Sequence, residues 1–196
     1  MKRREFVVGA SAAIVCVASG PAGAALPTAL PEYNMPEEFL PREVRIKNEL
    51  APYEVHVDPG QYALYWTLPK QKAIRYSVGI GRTDLYEAGE FYVGARKEWP
   101  SWTPTPGMIE REPEKYLQYQ DGMAGGLANP LGSRGLYLFK PGLGDTFLRI
   151  HGTNEPKTIG RRVSNGCARL INDQMIELYD RVPMNTRVVL YPISTG

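Results

Sequence analysis

Tyr53-Glu54-Val55-His56-Val57-Asp58-Pro59-Gly60-Gln61-Tyr62-Ala63-Leu64-Tyr65-Trp66 is the stretch that sets the fold class. Tyr53, Val55 and Val57 alternate with polar neighbours, the period of a strand with one face on a core. Asp58-Pro59-Gly60 follows as a turn, and residues 62–66 supply the returning strand of a hairpin. Further strand candidates are 74–80, 90–93, 135–139, 147–151 and 187–191. They are short and separated by turn formers, which predicts a mostly β sandwich or barrel rather than alternating βα units. One helix stands out after them. Asn172 or Asp173 can cap it, Met175, Ile176, Tyr179 and Val182 form its apolar stripe, and Pro183 closes it. Residues 110–119 offer a short second helix.

Before the β region the chain changes character twice. Lys2-Arg3-Arg4-Glu5-Phe6 is a basic start, a modestly apolar run of about 13 residues follows, and Ala22-Gly23-Ala24 offers small residues for cleavage. That order predicts a secretory signal peptide over residues 1–24, and the paired arginines before Phe6 give it a twin-arginine-like form. The run falls short of the roughly 20 residues a membrane-spanning helix needs. Bulky Val15 before Cys16 argues against a lipoprotein signal. Removing this segment leaves 20 basic and 20 acidic residues, so the formal charge of +2 falls to zero. A neutral domain gives no footprint for nucleic acid or an anionic membrane surface. Residues 25–52 carry Pro27, Pro31, Pro36, Pro41 and Pro52 and read as an extended tether, a strap over the domain or a linker. The remaining span, 53–192, suits one domain. Within it, 99–132 is dense in loop formers (Pro100, Pro104, Pro106, Gly107, Gly122, Gly125, Gly126, Pro130 and Gly132), with Trp99 and Trp102 to order them. It reads as a covering flap over a groove.

Cys167 is the one cysteine left once the leader is gone, so it has no intramolecular disulfide partner. A thiol attacks carbonyls as thiolate, which near neutral pH calls for a base or a lowered pKa. Histidine is the natural partner, and the chain has two, His56 and His151. His56 lies in the first alternating strand, where an outward, solvated side chain is expected. His151 ends a strand and is followed by Gly152, which places an imidazole at a sheet edge open to substrate. No zinc-ligand spacing and no phosphate-cradling glycine loop is visible, so neither metal nor cofactor is expected.

His151-Gly152-Thr153-Asn154-Glu155-Pro156, Ile159-Gly160 and Val163-Ser164-Asn165-Gly166-Cys167-Ala168-Arg169-Leu170 together resemble the signature of the bacterial L,D-transpeptidase catalytic domain, the YkuD family. Two upstream blocks, Arg96 through Pro106 and Asn129 through Leu138, resemble that family as well. The resemblance implies a YkuD-like β-sandwich of mixed sheets with one or two helices and a loop flap over a Cys/His cleft. It also implies an exported enzyme of the periplasm or cell envelope acting on peptidoglycan stem peptides. On this pattern Cys167 is the nucleophile, forming a thioester as D-Ala leaves a stem tetrapeptide, and His151 is the general base and acid. The Gly152 carbonyl orients His151, as a neutral stand-in for a triad carboxylate. Backbone N–H groups around Gly166 and Cys167 serve as oxyanion donors, with Ser164 and Asn165 beside them. Arg169 either grips a substrate carboxylate or forms a structural salt bridge behind the cysteine. The acyl acceptor is an amine of a second stem or of an envelope protein, with water or a free D-amino acid as variants. Asn165 departs from the family's commonest pattern, which has histidine there; it is the one feature favouring a silent peptidoglycan-binding module over an enzyme.

Overall fold

The computed structural model describes residues 33–47 and 49–193. The expected signal peptide, Cys16 included, lies outside the described residues. Eleven strands are present among those described. They are β1 (Arg42–Arg45), β2 (Val55–Asp58), β3 (Ala63–Leu68), β4 (Lys72–Ser77), β5 (Ile80–Gly81), β6 (Gly89–Glu98), β7 (Arg134–Lys140), β8 (Gly144–His151), β9 (Arg162–Ser164), β10 (Ala168–Arg169) and β11 (Arg187–Leu190). Nine form one mixed sheet in the order β1-β4-β3-β2-β11-β6-β7-β8-β10, while β5 and β9 pair separately. Most neighbours are antiparallel, but β11 runs parallel to β2 and β10 parallel to β8. The mostly β, mixed-sheet architecture expected from the sequence is the one found.

The opening hairpin forms where the alternation places it. Val55 and Val57 are buried opposite Trp66 and Leu64, and Asp58 turns the chain by accepting from the Gly60 and Gln61 N–H groups. The sheet then bends. β6 pairs with β11 through its first half and with β7 through its second, and its register slips between Val93 and Ala95. A bulge adds local twist and turns a strand. Gly94 sits at that slip because the Phe139 ring lies where a Cβ would project. The bend lets both halves of the sheet face each other, so Val55, Leu64 and Tyr76 share one core with Leu136, Leu138 and Ile150. The result is sandwich-like although the main sheet is continuous.

Helix α3 (Asn172–Arg181) covers one side of that core. Two details differ from the sequence reading. The residue before its first turn is Ile171, with no side-chain cap, because Asn172 spends its side chain elsewhere. The buried stripe is Gln174, Met175, Leu178, Tyr179 and the following Val182, whereas Ile176 is only partly covered. Helical geometry permits either stripe, and the sheet decides which faces it.

The proline-rich lead is more than a tether at its C-terminal end, since β1 pairs antiparallel with β4 and extends the main sheet ahead of residue 53. The expected second helix is broken into α1 (Pro106–Arg111), α2 (Pro113–Tyr116) and a 3-10 turn, Leu117–Tyr119. Proline within a helical stretch removes a donor and clashes with the preceding turn, so the break falls at Pro113. None of the described helices is long and apolar enough to cross a membrane.

Leu136 is fully buried where β7 crosses the shared core. Leu136→Ala is expected to lower the urea-unfolding free energy by about 2–5 kcal/mol while leaving the far-ultraviolet circular dichroism spectrum native, as core truncations do.

Candidate active site

His151 is the last residue of β8, and Cys167 sits immediately before β10, the strand that lies alongside β8. The parallel register sets Ala168 opposite Ile150 and Arg169 opposite His151, and the Leu170 N–H donates to the His151 carbonyl at 2.9 Å. Backbone pairing therefore brings together two residues 16 positions apart in sequence. His151 is buried, and its Nδ1 lies 2.6 Å from the Gly152 carbonyl oxygen. A carbonyl only accepts, so Nδ1 carries the proton and Nε2 keeps its lone pair. The tautomer is the one a general base requires.

Electrostatics hold both partners neutral at rest. Burial, joined by the Arg169 and Arg149 charges, holds His151 down to about 3, against the opposing pull of the Gly152 carbonyl. Burial pushes the Cys167 thiol up, opposed by a backbone hydrogen bond from Arg149 and by the Arg149 and Arg169 charges. Cys167 is a free cysteine and is half-buried as a residue. Both shifts favour a neutral thiol and a neutral imidazole over a standing ion pair. Proton transfer must then accompany attack.

The nucleophile loop is fixed from several sides. Ser164 Oγ donates to the Cys167 carbonyl at 2.6 Å, and the Ser164 carbonyl accepts the Arg82 N–H at 2.9 Å. Gly166 adopts φ +111°, and Gly81 packs directly on it: a Cβ at Gly81 would lie 2.7 Å from the Gly166 Cα. Only glycine at both positions permits that approach. Arg169 is buried behind the cysteine, donating to Thr158 Oγ1 at 2.9 Å and lying 3.6 Å from Glu155. These are the contacts of the structural salt bridge weighed in the sequence, with Glu155 itself exposed. Asn165 turns toward α1 and α2, donating to Tyr116 Oη at 2.9 Å and accepting from Arg111 at 3.2 Å.

His56 corrects the sequence reading. It is buried rather than solvated, 3.0 Å from Tyr191 Oη and 3.1 Å from Glu54, and burial lowers its pKa. Its place in β2 faces away from the shared core, but Val44, Ile46 and Leu50 of the lead, with Tyr191, line a pocket against that face. Alternation predicts which face a side chain takes and says nothing of what later covers it. Three contributors escaped the sequence reading. Asn172 Oδ1 accepts from the Ser133 N–H at 2.9 Å and the Thr153 N–H at 3.3 Å, tying the segment after His151 to the start of β7. Arg149 supplies its backbone to Cys167, and Tyr116 reaches Asn165 from the flap. A short polar residue at a helix start was the only sequence signal for Asn172. Among the described residues no three His, Cys, Asp or Glu side chains are grouped to hold a metal.

Residues 52–190 match the family profile YkuD, described as the L,D-transpeptidase catalytic domain. The chain belongs to the YkuD family. It is 36% identical over 164 residues to a probable L,D-transpeptidase, YbiS, of Escherichia coli strain K12, a match covering 78% of this chain and 51% of that protein. A crystal structure from Brucella melitensis, described as a probable carnitine operon oxidoreductase, is 42% identical with a TM-score of 0.55 and covers 80% of this chain and 96% of that one. The Enterococcus faecium L,D-transpeptidase shares the fold at a TM-score of 0.52, with 17% identity over 72% of this YkuD chain and 50% of its own. The chain spans about half the length of the curated relatives it matches. Cys167 and His151 both fall within the matched residues.

Two predictions follow the geometry. Histidines whose folded pKa lies below the unfolded value of 6.5 stay neutral where the unfolded chain takes up protons. Their stabilisation is complete above about pH 6.5 and is lost as pH falls toward the folded values. Urea-unfolding free energy should decline from pH 6.5 to 4, and His151→Gln should flatten that decline. Gly81→Ala should displace the Gly166 backbone, slowing carbapenem acylation of Cys167 by at least tenfold, since small misplacements cost about 100-fold in rate; intact mass spectrometry reads it.

Proposed function

We propose that this chain is an exported L,D-transpeptidase that acts on peptidoglycan stem tetrapeptides through a thioester on Cys167. The observation that carries the reading is the His151–Gly152 hydrogen bond at the end of β8, which leaves the imidazole Nε2 unprotonated beside the strand that Cys167 leads into. The basic leader, the neutral mature composition and the family membership support an envelope location.

In the first half-reaction His151 takes the Cys167 proton as sulfur attacks the carbonyl between the diamino acid at stem position three and the terminal D-Ala. The C–N bond then breaks, and His151 returns the proton to the departing D-Ala amine. Backbone N–H groups at Gly166 and Cys167 stabilise the oxyanion. In the second half-reaction His151 deprotonates an acceptor amine, which attacks the thioester and releases the thiol. An acceptor amine on a second stem gives a 3-3 cross-link, and one on an envelope protein gives attachment. Arg169 shapes the donor side, since a stem carboxylate would compete for its guanidinium with exposed Glu155. The resting thiol–imidazole pair supports attack triggered by bound substrate and protects the thiol from adventitious reagents between turnovers.

Muropeptide mass spectrometry of cells expressing the chain or Cys167→Ala tests this reading. Direct diamino-acid cross-links should appear with the wild type and vanish with Cys167→Ala, and a carbapenem should add its mass to the wild type alone. Tripeptides accumulating without cross-links would assign water as the acceptor. A wild-type protein that neither acylates nor changes muropeptides would leave a binding module.

A further inference from the structure

Residues 99–132, the expected flap, meet the Cys167 loop through α1 and α2. Helices α1 and α2 pack on each other rather than broadly on any strand. Trp102 bridges to Met123 and sets its ring edge-on to Tyr116 and Tyr119, at 6.2 and 5.8 Å, so the flap has a small aromatic core of its own. Two polar ties then reach down. Arg82 pairs with Glu112 at 2.6 Å on one side, and on the other Asn165 meets both Tyr116 and Arg111. Asn165 stands two residues before Cys167 in the nucleophile loop.

We propose that Asn165, Tyr116 and Arg111 form a latch that seats the flap on the nucleophile loop and sets how readily a substrate reaches Cys167. The chemistry of the amide fits the task. Its N–H₂ donates to the Tyr116 hydroxyl while its oxygen accepts from the Arg111 guanidinium, so one uncharged side chain engages two flap helices at once. An aspartate could not donate, and a protonated histidine could not accept and would meet Arg111 as a like charge. Asn165 does both without titrating between pH 5 and 8. The surroundings are charged on every side: Arg82, Asp84, Glu112 and Lys115 on the flap side, and Arg169 with Glu155 behind the loop. A neutral catch avoids answering to any of them. Tyr116 is buried, so its hydroxyl has little water to fall back on when the tie breaks. These are positioning residues: they act through the flap, not on the reacting atoms. The proposal rests on the acyl-transfer reading only for its consequence in turnover.

Alkylation of Cys167 by iodoacetamide in the full chain, read at that residue by peptide mass spectrometry, tests the latch independently of any peptide substrate. Tyr116→Phe and Asn165→Leu should each speed Cys167 alkylation about 2- to 10-fold, the range one lost hydrogen bond supports. The two together should do no more than the larger single change, because they break one tie. The rate should rise equally at every pH with the thiol midpoint unmoved, which separates access from thiolate stabilisation. Asn165→His should restore the slow rate at pH 8 and lose it at pH 5. With a stem tetrapeptide, KM should rise more than kcat falls. Arg111 is exposed, so Arg111→Met keeps the fold and should give a smaller rise of the same kind. Unchanged alkylation in Tyr116→Phe and Arg111→Met, or effects that multiply, would overturn the latch. Faster alkylation in variants of a wild type that turns over no stem peptide would uphold it and sink the transpeptidase reading instead.

Discussion

Everything at the cleft depends on a strand of two residues that is hydrogen-bonded on both sides. On one side β10 runs along β8, with Arg169 opposite His151. On the other, Gly79 and Arg169 exchange both backbone hydrogen bonds, at 2.9 and 2.8 Å. β8 and the segment leaving β4 belong to opposite halves of the bent sheet, so Arg169 is where the two halves meet. So short a strand has no stability of its own. It is held because a buried, unpaired backbone group costs more than a made one returns. Cys167 inherits its position from that closure.

The close approach of Gly81 and Gly166 continues the same constraint. β5 and β9 lie beside the closure, and their separate parallel pairing runs to Ser164, after which the chain bends into the Cys167 loop. The Ser164 hydroxyl then folds the loop onto the Cys167 carbonyl, fixing the sulfur by backbone geometry rather than by side-chain contacts. On the opposite side Asn172 does for the histidine what Ser164 does for the cysteine: it gathers the backbone beyond His151 and pins it to the start of β7. Neither side chain needs to touch substrate to matter. The neutral resting state follows from this burial, since a charge on either partner would have to form where water is scarce.

How much of this was legible beforehand varies with the range of the interaction. Strand alternation around Val55 and Val57, the turn at Asp58 and the apolar stripe near Met175 are local, and the sequence displays them directly. The His151 position at a strand end was legible for the same reason, because Gly152 follows it directly. The Cys167 loop was recognised through its family pattern, not through any periodicity, since β9 and β10 are too short to show one. His56 and Asn172 were misread by rules that are right locally. An alternating strand does put His56 on the face away from the core, and asparagine at a helix start does favour capping. In each case a segment distant in sequence arrives and changes what the side chain meets. Ile176 and Leu178 make the same point within one helix, where the sheet chooses between two nearly equivalent faces.

β1 carries a consequence of another kind. A sheet that ended at β4 would expose an open row of donors and acceptors, an invitation for another chain to add itself in register. The lead fills that row, and the strand it contributes reads Arg42-Glu43-Val44-Arg45, with Glu43 paired to Lys72 across the seam. The outermost rim therefore presents alternating charges on an edge only four residues long. The segment that reads as a tether, strap or linker thus gives the sheet a short, charged rim, the kind of edge least suited to pairing with another chain.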